Sequence, residues 1–228
     1  MLKFALKLNC NYKQQNMNTK LKIALGLAFT AVTFSANAQK TYTQGLATYN
    51  MSSPRGDAEA KVYFSADSNA TVTVQGPATI KMLANNKLTY AAIILDVPVA
   101  SMKKAAVLSP DEIDQFAAMV PKFTFTPGTE TKTINGFNCK KVDVKDTKSG
   151  SSSVAWVTND ISLPLTGLTK PFADAGGVPV QFTTSQQGQT VNVTLKSVAD
   201  QKAPSGTFNI PAGYDKITLD DLKSMGGK

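Results

Sequence analysis

The sequence predicts a mainly β domain with some α: an antiparallel sheet interrupted by one helical insertion. Three observations carry this. Short apolar runs alternate with polar residues at period two along most of the chain, one run is apolar on both phases, and one stretch has the start signal, apolar spacing and stop signal of a helix.

The alternating runs come first. Val62 and Phe64, Val72 and Val74, Ile80 and Met82, Phe123 and Phe125, then Val178, Val180 and Phe182, and Val191, Val193 and Leu195 each have polar residues between them. That is the pattern of strands with one face in a core and one in water. Asn85-Asn86 and Gln187-Gly188 supply hairpin turns, whereas Ser52 to Gly56 and Lys148 to Gly150 read as looser connections. Residues 137–144 change phase, since Phe137 and Cys139 share one face and Val142 and Val144 the other; a bulge near Lys140-Lys141 reconciles them.

The run Leu88 to Leu95 is apolar on both phases, so both of its faces are expected out of water. It reads either as a central strand covered on each side or as the floor of an apolar cavity. The segment Val97 to Leu108 follows and is expected to include a further short helix. Ser109-Pro110-Asp111-Glu112 then combines a capping serine, proline at the first helical position and a glutamate three residues after the cap. Ile113, Phe116, Ala117 and Val120 fall at i, i+3, i+4 and i+7, and Pro121 ends the helix. A shorter helix, Leu219 to Met225, is expected behind a Thr218 cap.

The first 38 residues have a different character. Lys20 and Lys22 precede an uncharged apolar stretch, Ile23 to Phe34, and then Ala36-Asn37-Ala38, which are the three parts of a secretory signal peptide with cleavage after Ala38. Met17 would serve as an alternative start. The apolar stretch has 12 residues, short of the roughly 20 that span a bilayer, so an integral membrane protein is not expected. Residues 39–228 then form a single β-rich domain, and the location is periplasmic or secreted.

Composition narrows the function. Five of the 24 basic residues lie in residues 1–38 with no acid, which leaves 19 basic against 16 acidic residues in the remainder. With the remaining charges mixed along the chain, no nucleic-acid partner is indicated. Histidine is absent, which removes Ser-His-Asp and Cys-His catalysis and the common zinc and copper ligand sets. Cys139 would be the one cysteine after cleavage and is expected as a small buried hydrophobe. The acids Asp111, Glu112 and Asp114, like Asp220 and Asp221, sit at expected helix starts, where they favour the helix dipole rather than catalysis. No enzymatic activity, metal or cofactor is expected.

The order of a β-meander, a helical insertion and a second run of strands resembles the lipoprotein-carrier superfamily, the LolA/LolB-like half-barrels of the bacterial envelope. More narrowly, the chain is similar to an uncharacterised secreted domain family of Bacteroidota. The segments that match are Asn135 to Val142, Val154 to Asp160, Gly176 to Val180 and Phe208 to Tyr214. They are strand and turn motifs without chemistry. The resemblance implies a curved sheet, a half-barrel whose concave face is covered by the helical insertion over an apolar cavity. Its expected partner is a hydrophobic small molecule or acyl chain. The candidate cavity-lining residues are Met82, Tyr90, Ile93, Leu95, Met102, Ile113, Phe116, Met119, Val120, Phe125 and Trp156. The alternative is an envelope interaction module with a filled core, a protein partner and no ligand.

Overall fold

The structure is a computed structural model and describes residues 39–54, 56–186 and 189–226. The signal-peptide reading of residues 1–38 and the Gln187-Gly188 turn lie outside the described residues.

The chain forms a short strand β1 (Lys40–Thr41) and then a six-strand meander: β2 (Gly45–Ser53), β3 (Gly56–Phe64), β4 (Ser68–Gln75), β5 (Ala78–Asn85), β6 (Ala91–Val97) and β7 (Met102–Val107). Helix α1 (Pro110–Met119) follows. After it come β8 (Phe123–Ile134), β9 (Phe137–Asp146), β10 (Ser152–Thr158), β11 (Ile161–Ser162), β12 (Val178–Gln186), β13 (Gln189–Ala199), β14 (Asp215–Ile217) and helix α2 (Leu219–Gly226). Twelve strands make one large curved sheet, ordered β14-β7-β6-β5-β4-β3-β2-β13-β12-β10-β9-β8, while β1 and β11 pair separately. The two runs of strands are joined where β13 pairs antiparallel with β2. The sheet is antiparallel except at β14 and does not close on itself, which makes it a half-barrel.

Turn chemistry sets the registers. Asn135 and Gly136 form the two-residue β8–β9 loop with φ of 49° and 86°, the left-handed pair that a type I′ turn requires. Gly177 has no room for a side chain, because a Cβ there would meet the Thr158 carbonyl oxygen at 2.7 Å. The connection between β2 and β3 is shorter than the loose one expected, since the two strands stay paired up to Ser53 and Gly56.

The inner face of the sheet divides into two halves. Over β2, β3 and β8 to β13 it is filled by Tyr49, Val62, Phe64, Val142, Val157, Val180, Phe182, Val193 and Leu195, with Phe172 inserted from the segment between β11 and β12. Over β4 to β6 it carries Asn69, Thr71 and Thr73 opposite Ala84, Met82 and Ile80. The outer face of that second half has its own small core, in which Ala70, Leu83, Ala92, Ile94 and Ala105 pack under Phe208, Ile210 and Tyr214 from the segment before β14.

Several expectations are corrected here. Val72 shares the outer face with Ala70, and Val74 is 58% exposed, so the inner face of β4 is its polar phase. Alternation locates two faces but does not say which one is wet, and a second core on the outer side reverses the usual assignment. The two-sided strand begins at Ala91, because Asn85 to Leu88 form a turn in which the Asn85 carboxamide accepts the backbone N–H groups of Thr89 and Tyr90. Val97 to Leu108 forms a 3₁₀ turn and strand β7 rather than a second α-helix, and pairing with β6 and β14 outweighs the helical propensity of Met102 to Ala106. The irregular pairing expected near Lys140-Lys141 is present: the β8–β9 register shifts between Pro127 and Thr131, opposite Val142 and Lys140, and the β10–β12 register shifts between Trp156 and Val157, which pair with Lys141 and Lys140, so the surplus residues lie on the neighbouring strands.

Candidate functional site

Helix α1 forms as its sequence predicts. The Ser109 hydroxyl accepts the Glu112 N–H at 3.3 Å, and the Glu112 carboxylate accepts the Ser109 N–H at 2.7 Å, so two N–H groups that the first turn would leave free are bonded. Ile113 is buried with Leu108 and Leu219, and Phe116 packs beside them. The remainder of the apolar stripe faces a groove.

This groove has a volume of about 570 Å³. Its floor is Asn69, Thr71 and Thr73 on β4, Met82 and Ala84 on β5, and Ala91 and Ile93 on β6. One wall is Ile113, Phe116 and Ala117 of α1 with Val120 and Pro121 just after it; the other is Leu165 to Leu168, Lys170 and Pro171. The ends are the Asn85 to Leu88 turn on one side and Met51, Ala60 and Thr184 on the other. The lining strands run from β6 through β5, β4, β3 and β2 to Thr184 of β12 across the concave face. Met82 stands 46% exposed in the middle of the floor. A second cavity, of about 190 Å³ beside Ile161 to Leu165, falls below the roughly 300–1,000 Å³ of small-molecule sites.

The wall at 165–171 is held firmly. Thr166 and Thr169 are buried and bonded to each other, with the Thr169 hydroxyl also accepting the Thr166 N–H at 3.0 Å. Phe172 anchors the segment: its ring lies 4.6 Å from Phe182, 5.3 Å from Phe123 and 6.0 Å from Phe125.

Of the eleven candidates, Met82, Ile93, Ile113, Phe116 and Val120 line the groove. The other six do not. Tyr90 is partly exposed beyond the turn. Leu95 and Met102 face the inner side beyond the groove, since Leu95 pairs with Lys104 and Met102 with Val97. Met119 lies on the solvent side of α1 and is 67% exposed. Phe125 belongs to the aromatic cluster of the filled half. Trp156 lies on the opposite phase of β10 from buried Ala155 and Val157, with the Lys132 ammonium 4.1 Å from its ring centre. Sequence reasoning missed the whole 165–171 wall and the polar strip on β4. The wall is irregular backbone with no period to read, and the strip is the phase assigned to solvent.

The acids at the helix starts have structural partners. Glu112 completes the α1 cap. Hydrogen bonds from the Thr218 hydroxyl and N–H hold the Asp221 carboxyl below the usual carboxylate range at the start of α2. Asp220 pairs with Lys223 at 3.2 Å. Cys139 is 1% exposed, and burial pushes its thiol up to about 11. Among the described residues, no helix is long and apolar enough to cross a membrane.

Fold and groove together define a β half-barrel with an apolar slot between its sheet and an inserted helix. The chain belongs to the DUF4412 family, a domain of unknown function, which matches residues 43–214. Among solved structures, PNGF-II is similar at 18% identity and a TM-score of 0.45, over 80% of this chain and 32% of that one. The chain thus spans about a third of the length of PNGF-II. LprF from Mycobacterium bovis is similar at 12% identity and a TM-score of 0.33, over 75% of this chain and 90% of that one. No curated protein matches the chain.

Proposed function

We propose that the protein is a non-enzymatic, exported binding or carrier protein that holds an elongated apolar ligand, such as an acyl chain, in the groove between α1 and the sheet. The observation that carries this reading is the groove between the inserted helix and the sheet. It lies within the volume range of small-ligand sites, with a mostly apolar lining and a floor that leaves a large side chain, Met82, open to solvent. Covering such a floor with a hydrocarbon chain removes apolar surface from water at about 25 cal/mol per Å². The reading includes a periplasmic or secreted location after cleavage following Ala38, for which an N-terminus at Gln39 in the recovered protein is the check.

The test is titration of delipidated protein with a fluorescent fatty-acid probe, comparing the wild type with Met82→Glu. Because Met82 is about half exposed, a carboxylate there changes folding stability by less than about 1 kcal/mol. It does, however, set a charge where the chain must lie, which costs several kcal/mol if that site is desolvated. Saturable binding in the wild type that is lost in the variant supports the groove. Failure of the wild type to bind overturns the reading in favour of an interaction module, and equal binding by both proteins moves any lipid site elsewhere.

A further inference from the structure

Lys170 is the one charged residue lining the groove among the described residues, and no carboxylate lines it. Its backbone is fixed: the Lys170 N–H donates to the Thr166 carbonyl at 2.8 Å, and Phe172, two residues on, is buried in the filled half. Some lysines of the sheet are matched by acids, Lys104 by Asp215, Lys141 by Glu130 and Lys196 by Glu59, whereas others, such as Lys81, Lys132 and Lys145, are in no ion pair among the described residues. Lys170 is in no ion pair among the described residues and is exposed at the rim. Its segment lies towards β12, as the Phe172–Phe182 contact shows. At the Asn85 to Leu88 turn the lining residues Asn85, Asn86 and Leu88 are neutral, and Lys87 of the same turn is exposed outside the lining.

We infer that the ligand is a single-chain amphiphile with an anionic head, a carboxylate or a phosphate, which pairs with Lys170 at one end of the groove while the chain runs over Thr71, Met82 and Ile93 towards the Asn85 to Leu88 turn. The inference rests on the groove being a ligand site and adds the chemistry and direction of its occupant. An ammonium on a fixed backbone at the rim of an apolar floor attracts an anion with the modest strength of a solvent-exposed pair, and salt screens it. A hydrocarbon without a head would leave Lys170 unused.

Four dodecyl compounds below their micelle concentrations separate the possibilities: dodecanoate, dodecyl phosphate, dodecanol and dodecyltrimethylammonium, each titrated into delipidated wild type and Lys170→Gln at low and high salt. At least one anion should bind the wild type a few-fold to about tenfold more tightly than dodecanol, and the cation should bind most weakly. Lys170→Gln should remove the preference for an anion over dodecanol and leave the denaturant midpoint unchanged, and salt should narrow the preference in the wild type. The stronger of the two anions identifies the head. Equal binding of dodecanol and both anions by the wild type overturns the headgroup inference and leaves the groove standing. Binding of none of the four overturns both.

Discussion

The ring of Phe172 lies 4.6 Å from that of Phe182, tilted by 54°, and this contact marks where the inner face of the half-barrel changes from filled to open. On the Phe182 side, side chains from the strands of the second run interdigitate with the segment that carries Phe172. On the other side the same segment stands off the sheet and becomes the wall of the groove. Phe172→Ala should therefore behave as a core truncation and cost about 3–5 kcal/mol. Phe116→Ala borders space that already exists and should cost less than about 3 kcal/mol. Urea unfolding with an unchanged slope measures both. Equal costs would mean that the groove closes in solution.

The capping box is the second testable element. Ser109→Ala removes the acceptor for the Glu112 N–H and should cost about 0.5–2 kcal/mol. Since α1 is a groove wall, amide exchange at Asp111 to Ile113 should quicken and chain affinity should fall with it. Unchanged exchange would show that packing of Ile113 alone holds the helix.

Burial raises Cys139 from 9.0 to about 11 and Tyr214 from 10.0 to about 12, and burial also raises Tyr49. The fold thus favours the protonated form of each. Their contribution is complete below the unfolded values and is lost as pH rises through the folded ones, so stability should fall from about pH 9 upward and steeply by pH 11. Thiol labelling of Cys139 at neutral pH should be slow in the native state and fast in denaturant. Rapid native labelling would contradict its burial.

On the outer face, the Tyr214 hydroxyl donates to Asp96 Oδ2 at 2.6 Å, while Asp96 Oδ1 is buried without a partner among the described residues. Tyr214→Phe should cost about 1–3 kcal/mol, because the carboxylate loses that donor. It should also loosen the segment bearing Phe208 and Ile210, read as faster proteolysis between residues 200 and 207. Wild-type protease resistance in the variant would mean that apolar packing alone holds the segment.

Much of this architecture was legible where one local rule acted alone. Ser109, Pro110 and Glu112 announce the start of α1, and the doubled phase of Ile93 and Ile94 announces a strand covered on both sides, with the groove on one face and the Phe208 to Tyr214 segment on the other. The phase break between Cys139 and Val142 announced irregular pairing. Legibility ended where a distant segment decides the outcome. Thr71 faces the groove and Val72 the outer core because residues 204–214 return to cover the far side. Met102 to Val107 is a strand because β6 and β14 flank it. Leu165 and Lys170 line the groove because Phe172, in an irregular segment, fits the aromatic cluster. None of these has a periodic signature.

The central claim is that the groove carries a hydrophobic chain. Native mass spectrometry of the protein purified from its own source without detergent, with lipid extraction of the same sample, tests it most directly. The account predicts a population carrying one bound amphiphile per chain, released by organic solvent and absent from Met82→Glu prepared in parallel. Bare protein in every preparation, with no lipid in the extract and no uptake when chains are added back, would contradict it.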